Sequence, residues 1–197
     1  MHDDLKIYFA GKIEKNDWRN DICMGKLRGI EPLEIEYIKT ICGNKYVGPW
    51  FISCDHGCYH GDTQHGMLNN GCGFTPASED RRNFVKEICL SCIDKCDILF
   101  AWIDSENCFG TIAEIGYAYA NKKKIWLAYS KAFMHSFLKI KPTMLTVREG
   151  VIIGDVNKEE IIETPTHEMW FVDQMAERIL LSGSPIDAYK CFSDMSS

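Results

Sequence analysis

The sequence predicts an α/β fold, a doubly wound parallel sheet with helices on both faces, on three observations. The run Cys96-Asp97-Ile98-Leu99-Phe100-Ala101-Trp102-Ile103-Asp104 is apolar at successive positions. That is the pattern of a strand covered on both faces, as parallel strands are. A polar loop and a helix rich in small residues follow it, Gly110-Thr111-Ile112-Ala113-Glu114-Ile115-Gly116-Tyr117-Ala118. Strand-like and helix-like segments alternate along the chain, the order of a parallel sheet with crossover helices.

Leu5 to Ala10 is a β-prone run ending at Gly11, and it reads as the first strand. A charged stretch, Lys12 to Asn20, comes next. Ile30 to Cys42 is helix-compatible after Pro32, with Leu33, Ile35, Tyr37, Ile38 and Ile41 apolar. Tyr46 to Ser53 reads as the second strand, and Gly48-Pro49 within it points to an edge or a bend. Cys54 to Pro76 has no period and holds five glycines, three histidines and three cysteines. It is read as a Cys/His/Gly-rich loop insert, and loops of that length are functional or disordered. Ser78 to Lys95 is a helix with Ser78-Glu79-Asp80 as its capped start. Its apolar stripe is Phe84, Val85, Ile88, Cys89, Cys92, Ile93 and Cys96.

Asp97 to Ile103 is the central strand, and Gly110 to Asn121 the helix after it. Lys122-Lys123-Lys124 closes that helix with positive charge, where the helix dipole favours it. Ile125 to Tyr129 is the next strand, Phe133 to Val147 fits no single period, and Gly150 to Val156 reads as a last short strand. Thr166 to Ser182 is read as a helix on Met169, Trp170, Val172, Met175, Ala176, Ile179 and Leu180. Residues 183–197 read as a tail or arm of a single domain.

The chain has 197 residues, 46% hydrophobic and 25% charged, the composition of an ordinary globular protein with a sizeable core. The net charge of −6 argues against a nucleic-acid duplex or an anionic membrane as partner. No apolar run reaches membrane-spanning length. Met1-His2-Asp3-Asp4 lacks the basic-then-apolar pattern of an export signal. The expected compartment is therefore the cytoplasm, with most of the ten cysteines reduced.

Ligands of doubly wound sheets bind beyond the carboxyl ends of the strands. In this reading Glu114 stands there, in the first turn of its helix, where free N–H groups favour an ionised carboxylate. Such a carboxylate suits nucleophilic attack or stabilisation of a cation. An acid near a helix start is also commonplace, so position alone does not make it catalytic. Gly110, Ala113, Gly116, Ala118 and Ala120 around it would let a ligand come close.

Three segments together, Tyr8-Phe9-Ala10-Gly11, Cys96 to Asp104 and Gly110 to Ala118, resemble the nucleoside 2-deoxyribosyltransferase superfamily, which includes related nucleotide N-glycoside hydrolases. The resemblance covers Leu5 to Gly11 and Ser78 to Tyr129. It implies a flavodoxin-like fold, with Glu114 as a nucleophile that attacks the anomeric carbon of a (deoxy)ribosyl group and expels the base. The chemistry would parallel a retaining glycosidase. Water then gives hydrolysis, and a second base gives transfer. Tyr8 would hold the sugar or position Glu114. Gly11, Lys12, Ser105, Gly110 and Thr111 would contact substrate, and in nucleotide-hydrolysing relatives the loop carrying Lys12 and Arg19 approaches a phosphate. The resemblance also implies a homo-oligomer with sites completed across subunits, and the Trp170 helix is one candidate contact.

Two acids usual in that family are replaced here, by Cys89 and Cys108. Cys89 lies on an apolar stripe, which fits core packing. Protonation of the leaving group then falls to Asp104 or to a histidine of the insert, His56 before His60 and His65, with Asp55 beside it. The insert has two other readings. One is a zinc site drawn from Cys54, His56, Cys58, His60, His65 and Cys72, with Cys54, Cys58, His60 and Cys72 as the candidate set, although the Cys-x-His-x-Cys-x-His alternation is not the Cys-x-x-Cys knuckle. The other is a plain polar loop. Trp50 and Trp102 are candidates for stacking on a base, with core packing the simpler reading for Trp102.

The sequence-based expectation is an enzyme without a cofactor, cleaving or exchanging the N-glycosidic bond of a nucleoside or nucleotide. Two alternatives stand beside it. One is an NAD glycohydrolase of a defence or toxin setting. The other is a non-catalytic nucleotide-sensing module.

Overall fold

The computed structural model describes residues 4–13, 17–27, 38–49, 79–138 and 169–195. Its strands are β1 (Lys6–Ala10), β2 (Lys45–Gly48), β3 (Ile98–Ile103), β4 (Lys124–Ser130) and β5 (Arg178–Ser182). They form one parallel sheet in the order β2-β1-β3-β4-β5. That is the flavodoxin-like doubly wound order, as expected. The helices are α1 (Trp18–Ile22), α2 (Glu79–Lys95), α3 (Phe109–Ala120), α4 (Lys131–Leu138), α5 (Trp170–Asp173) and α6 (Pro185–Asp194). The chain divides into two compact units, Met1–Phe9 with Ile13–Asp97, and Ala10–Lys12 with Ile98–Ser197.

In the first unit β1 pairs with β2, Lys6 opposite Lys45 and Ile7 opposite Tyr46, with an irregularity before Tyr8 meets Gly48. β2 ends at that glycine, and the residue type there has a steric reason. A Cβ on Gly48 would lie 2.7 Å from the Tyr8 ring and 3.0 Å from Cys92 Cβ, so only glycine lets this backbone pass. The Phe9 and Tyr46 rings stack at 5.6 Å, and Trp18 meets Phe9 edge-on at 6.0 Å. At the start of β1, Lys6 N donates to Asp97 Oδ2 and Asp97 N donates to Lys6 O, each at 2.8 Å. α2 turns Cys89 and Ile93 inward, and Cys96, just after it, is also buried; all three belong to the stripe read from the sequence.

The second unit carries the larger core. β3 is buried along its whole length, and β4 from Ile125 to Tyr129. Phe100 lies opposite Trp126 in register. Tyr189 and Phe192 of α6 meet Phe100 edge-on, and Phe192 stacks on Trp126 at 5.4 Å. Side chains alternate along a strand, so α6 covers the face carrying Phe100 and Trp126. Tyr129 belongs to the opposite face, and its hydroxyl donates to Asp173 of α5 at 2.7 Å. Both faces of this part of the sheet are therefore covered.

Three sequence-based expectations are corrected. Of the tail or arm expected over 183–197, the described residues 183–195 are not a tail: α6 begins at an N-cap, Ser184, whose hydroxyl accepts from Asp187 N at 3.1 Å, with Pro185 opening the helix. Ala188, Tyr189 and Phe192 are fully buried. The helix expected over Thr166–Ser182 is a single turn, α5, followed by β5, which starts where Glu177 N donates to Ile125 O at 2.9 Å. Its isoleucine and leucines fit a helical period, but they pair with β4 instead. The end of the helix expected over Ile30–Cys42 is a reversal: Lys39 bridges Lys45 antiparallel, and Gly43 N donates to Thr40 O at 2.9 Å. The sequence also hid α1, which begins inside the stretch Lys12 to Asn20 read as polar and charged and runs on to Ile22. The strand expected over Gly150–Val156 and the Cys54–Pro76 insert lie outside the described residues.

Candidate active site

The carboxyl end of β3 and the start of α3 form the frame on which the candidate residues sit. Ile103 ends the strand, and residues 104–108 turn the chain into α3, with Cys108 as its N-cap. Cys108 is buried and its side chain caps no N–H. Burial pushes its thiol above the ordinary value; a backbone hydrogen bond opposes this, and the Asp104 carboxylate adds to it. Asp104 and Ser105 are half-buried. Among the described residues Ser105 Oγ is shut off from solvent without a hydrogen-bond partner.

Glu114 is not in the first turn. α3 starts at Phe109, so Glu114 is its sixth residue and lies beyond the free N–H groups of the helix end. It is half-buried and is the only charged residue of α3. Thr111, Ile115 and Ala118 form the buried face of the helix. At about 100° per residue, Glu114 stands on the flank of that face, one turn beyond Gly110 and Thr111. A Cβ placed on Gly110 or Gly116 would meet nothing within 4 Å. Close packing among the described residues therefore does not explain either glycine.

Gly11 and Lys12 follow β1 and belong to the same compact unit as β3 and α3, with Lys12 exposed. That unit thus contains Gly11, Lys12, Asp104, Ser105, Gly110, Thr111 and Glu114. Tyr8 belongs to the other unit, where it is fully buried with its ring against Gly48. Trp102 is a core residue. Trp50, Cys54, Asp55, His56, Cys58, His60, His65 and Cys72 lie outside the described residues. Among the described residues no group of three or more His, Cys, Asp or Glu is arranged to hold a metal ion. No helix among them is long and apolar enough to cross a membrane.

Arg19 is not available to a phosphate. Its side chain is fully buried; Nη1 donates to both oxygens of Asp17 at 2.9 and 2.8 Å, and Nε to Phe9 O at 2.8 Å. The guanidinium also lies 4.3 Å from the Trp18 ring centroid, a cation–π contact.

Sequence reasoning missed the buried pair Tyr129–Asp173. Burial, the Asp173 charge and the hydrogen bond to it hold the Tyr129 phenol well above its ordinary range, with Cys108 contributing last. A signal was present: Asp173 interrupts the apolar positions Met169, Val172 and Ala176.

No family model and no curated protein matches the chain. Among solved structures it is similar to the CMP N-glycosidase BcmB of Clostridium botulinum, at 12% identity and a TM-score of 0.44, over 98% of this chain and 99% of that one.

Proposed function

We propose that the chain cleaves or exchanges an N-glycosidic bond of a nucleoside or nucleotide, with Glu114 as nucleophile. The observation that carries the reading is Glu114 itself. It is a half-buried carboxylate, the only charge on an otherwise apolar helix, and that helix is the one that follows the carboxyl end of a central strand. Ligands of doubly wound sheets bind at such ends, and partly burying a charge has a cost that function can justify. The resemblance of the surrounding residues to the deoxyribosyltransferase superfamily supports the same role. The likeness to BcmB adds nothing to it at that identity.

A carboxylate oxygen of Glu114 attacks the anomeric carbon and forms a glycosyl ester. The bond to the base breaks, and its electron pair leaves with the base. Asp104 supplies the proton a neutral base needs. Water, or the nitrogen of a second base, then attacks the same carbon and releases the carboxylate. Gly11, Lys12, Ser105, Gly110 and Thr111 hold the substrate; Tyr8, fully buried against Gly48, takes no part.

One observation favours NAD as a second substrate. Cys89 and Cys108, which stand where the resembling family carries acids, are buried thiols, and burial raises the Cys108 thiol above its ordinary value. Nicotinamide leaves as a neutral molecule from a cationic ring and needs no proton.

The test is incubation with nucleosides, nucleotides and NAD, with the released base identified by mass. Base release is expected from at least one of them. Glu114→Gln should lower it by about a thousandfold or more while ligand binding persists. A variant with undiminished turnover overturns the nucleophile. A wild-type protein that binds a nucleotide but releases no base from any of the panel overturns the enzyme reading in favour of a sensor.

A further inference from the structure

The hydrogen bond from Tyr129 to Asp173 joins two buried polar groups that the proposed chemistry does not use. Tyr129 is 1% exposed and Asp173 9%. Asp173 ends α5, a single turn whose place against the core is already secured by the buried apolar residues Met169, Val172 and Ala176 around it. Taking a phenol and a carboxylate out of water costs free energy that apolar side chains in the same place avoid. What the bond adds is direction. A hydrogen bond of 2.7 Å fixes where α5 sits on β4, whereas apolar contact is non-directional.

The place it fixes bears on α3. Tyr129 is in register with Ile103, the last residue of β3. α3 packs on β3, on β4 and on α5, all within one compact unit. α5, tied to β4 through Asp173, therefore stands beside α3. The helix has few anchors of its own. Its N-cap, Cys108, makes no side-chain bond to the first turn, and no basic side chain lies in its last turn. The Tyr129 phenol is close enough to Cys108 to feel a thiolate charge there, so the bond lies near the start of α3.

We propose that Tyr129 and Asp173 are positioning residues, whose bond holds α5 against α3 and so fixes the lie of the helix that carries Glu114. The effect on turnover rests on the proposed role of Glu114, while the effect on the helix does not. Neither side chain touches the substrate. Without the bond α3 shifts and Glu114 is misplaced, and a displacement of about 1 Å is enough to lower a rate by about a hundredfold.

The test reads the helix and the reaction separately, in the full chain. Tyr129→Phe combined with Asp173→Leu removes both polar partners, so that neither is left buried alone, and melting should stay near that of the wild type. In this double variant the backbone amides of residues 113–118 should exchange with deuterium about fivefold faster, as the loss of one hydrogen bond implies. Those of α6 should keep their rate. Tyr129→Phe alone should give the same pattern at lower stability. Asp173→Asn keeps an acceptor for the phenol and should keep the wild-type exchange. With a substrate that the wild type turns over, the double variant should lose about tenfold or more in kcat with KM changed less than about twofold. Asp173→Asn should retain most of the wild-type kcat. Unchanged exchange in α3 overturns the brace, and an Asp173→Asn protein that exchanges as fast as the double variant overturns the hydrogen bond as its cause. Faster exchange with unchanged kcat overturns the positioning role. Faster exchange in the variant of a protein that releases no base from any substrate supports the brace and counts against the Glu114 chemistry alone.

Discussion

Arg19 shows how a residue's role depends on burial, which a sequence does not state. It follows a strand-end glycine in a charged stretch, and from that position alone it suits a phosphate. In the structure its guanidinium is enclosed by Asp17, the Phe9 carbonyl and the Trp18 ring. Removing one partner of such a pair leaves a buried charge uncompensated. Glu114 was legible as a residue but not in its exact place. Its glycine-rich context marked it, while the helix start moved it out of the first turn. The buried tyrosines carry a pH prediction. Burial above all holds Tyr46 and Tyr129 well above the ordinary phenol value of 10.0. The folded state therefore keeps protons that the unfolded state releases above about pH 10. Their contribution to stability is complete below that pH and is lost as pH rises further, by about 1.4 kcal/mol per pH unit for each tyrosine. Denaturant midpoints measured from pH 8 to 11 should fall above pH 10. Tyr129→Phe should fall less steeply, and equal slopes for the two proteins would count against this account.

Among the elements, β3, α3 and β4 were legible because their signals are strong and local. An unbroken apolar run, a loop of polar residues and a lysine-closed helix admit few other readings. The C-terminal third was misread where two periods overlap. Arg178–Ser182 fits the 3.6-residue repeat that runs through Met169 and Val172, yet its place beside β4 is settled by a backbone ladder that no side-chain pattern records. α6 did carry its own signal, Ser184-Pro185 followed by Asp187, a capped helix start. Its weight in the fold is testable. Phe192 is fully buried between Phe100 and Trp126, so Phe192→Ala should cost about 3–5 kcal/mol. Urea unfolding should show it as a lowered midpoint with an unchanged slope; a loss below about 1 kcal/mol would restore the reading of residues 183–197 as an arm.

At the scale of the whole molecule, the doubly wound order was readable because parallel strands need crossovers, and alternating segments announce them. The division into two compact units was not, because it depends on which contacts the folded chain makes rather than on any linker. One small feature has a large span. The paired hydrogen bonds between Lys6 and Asp97 join residues 91 positions apart, whereas Arg19 reaches Phe9 across only 10. The length-dependent entropy of closing the longer loop is about 4 kcal/mol, so the short closure can precede the long one during folding. Asp97→Ala, which removes the carboxylate that receives Lys6 N, should then act after the folding barrier. In stopped-flow measurements unfolding should quicken about fivefold while refolding keeps its rate. A slowed refolding limb would instead make the junction of the first and third strands part of the nucleus. On the expected outcome, the order in which this sheet assembles is written in loop lengths rather than in strand order along the chain.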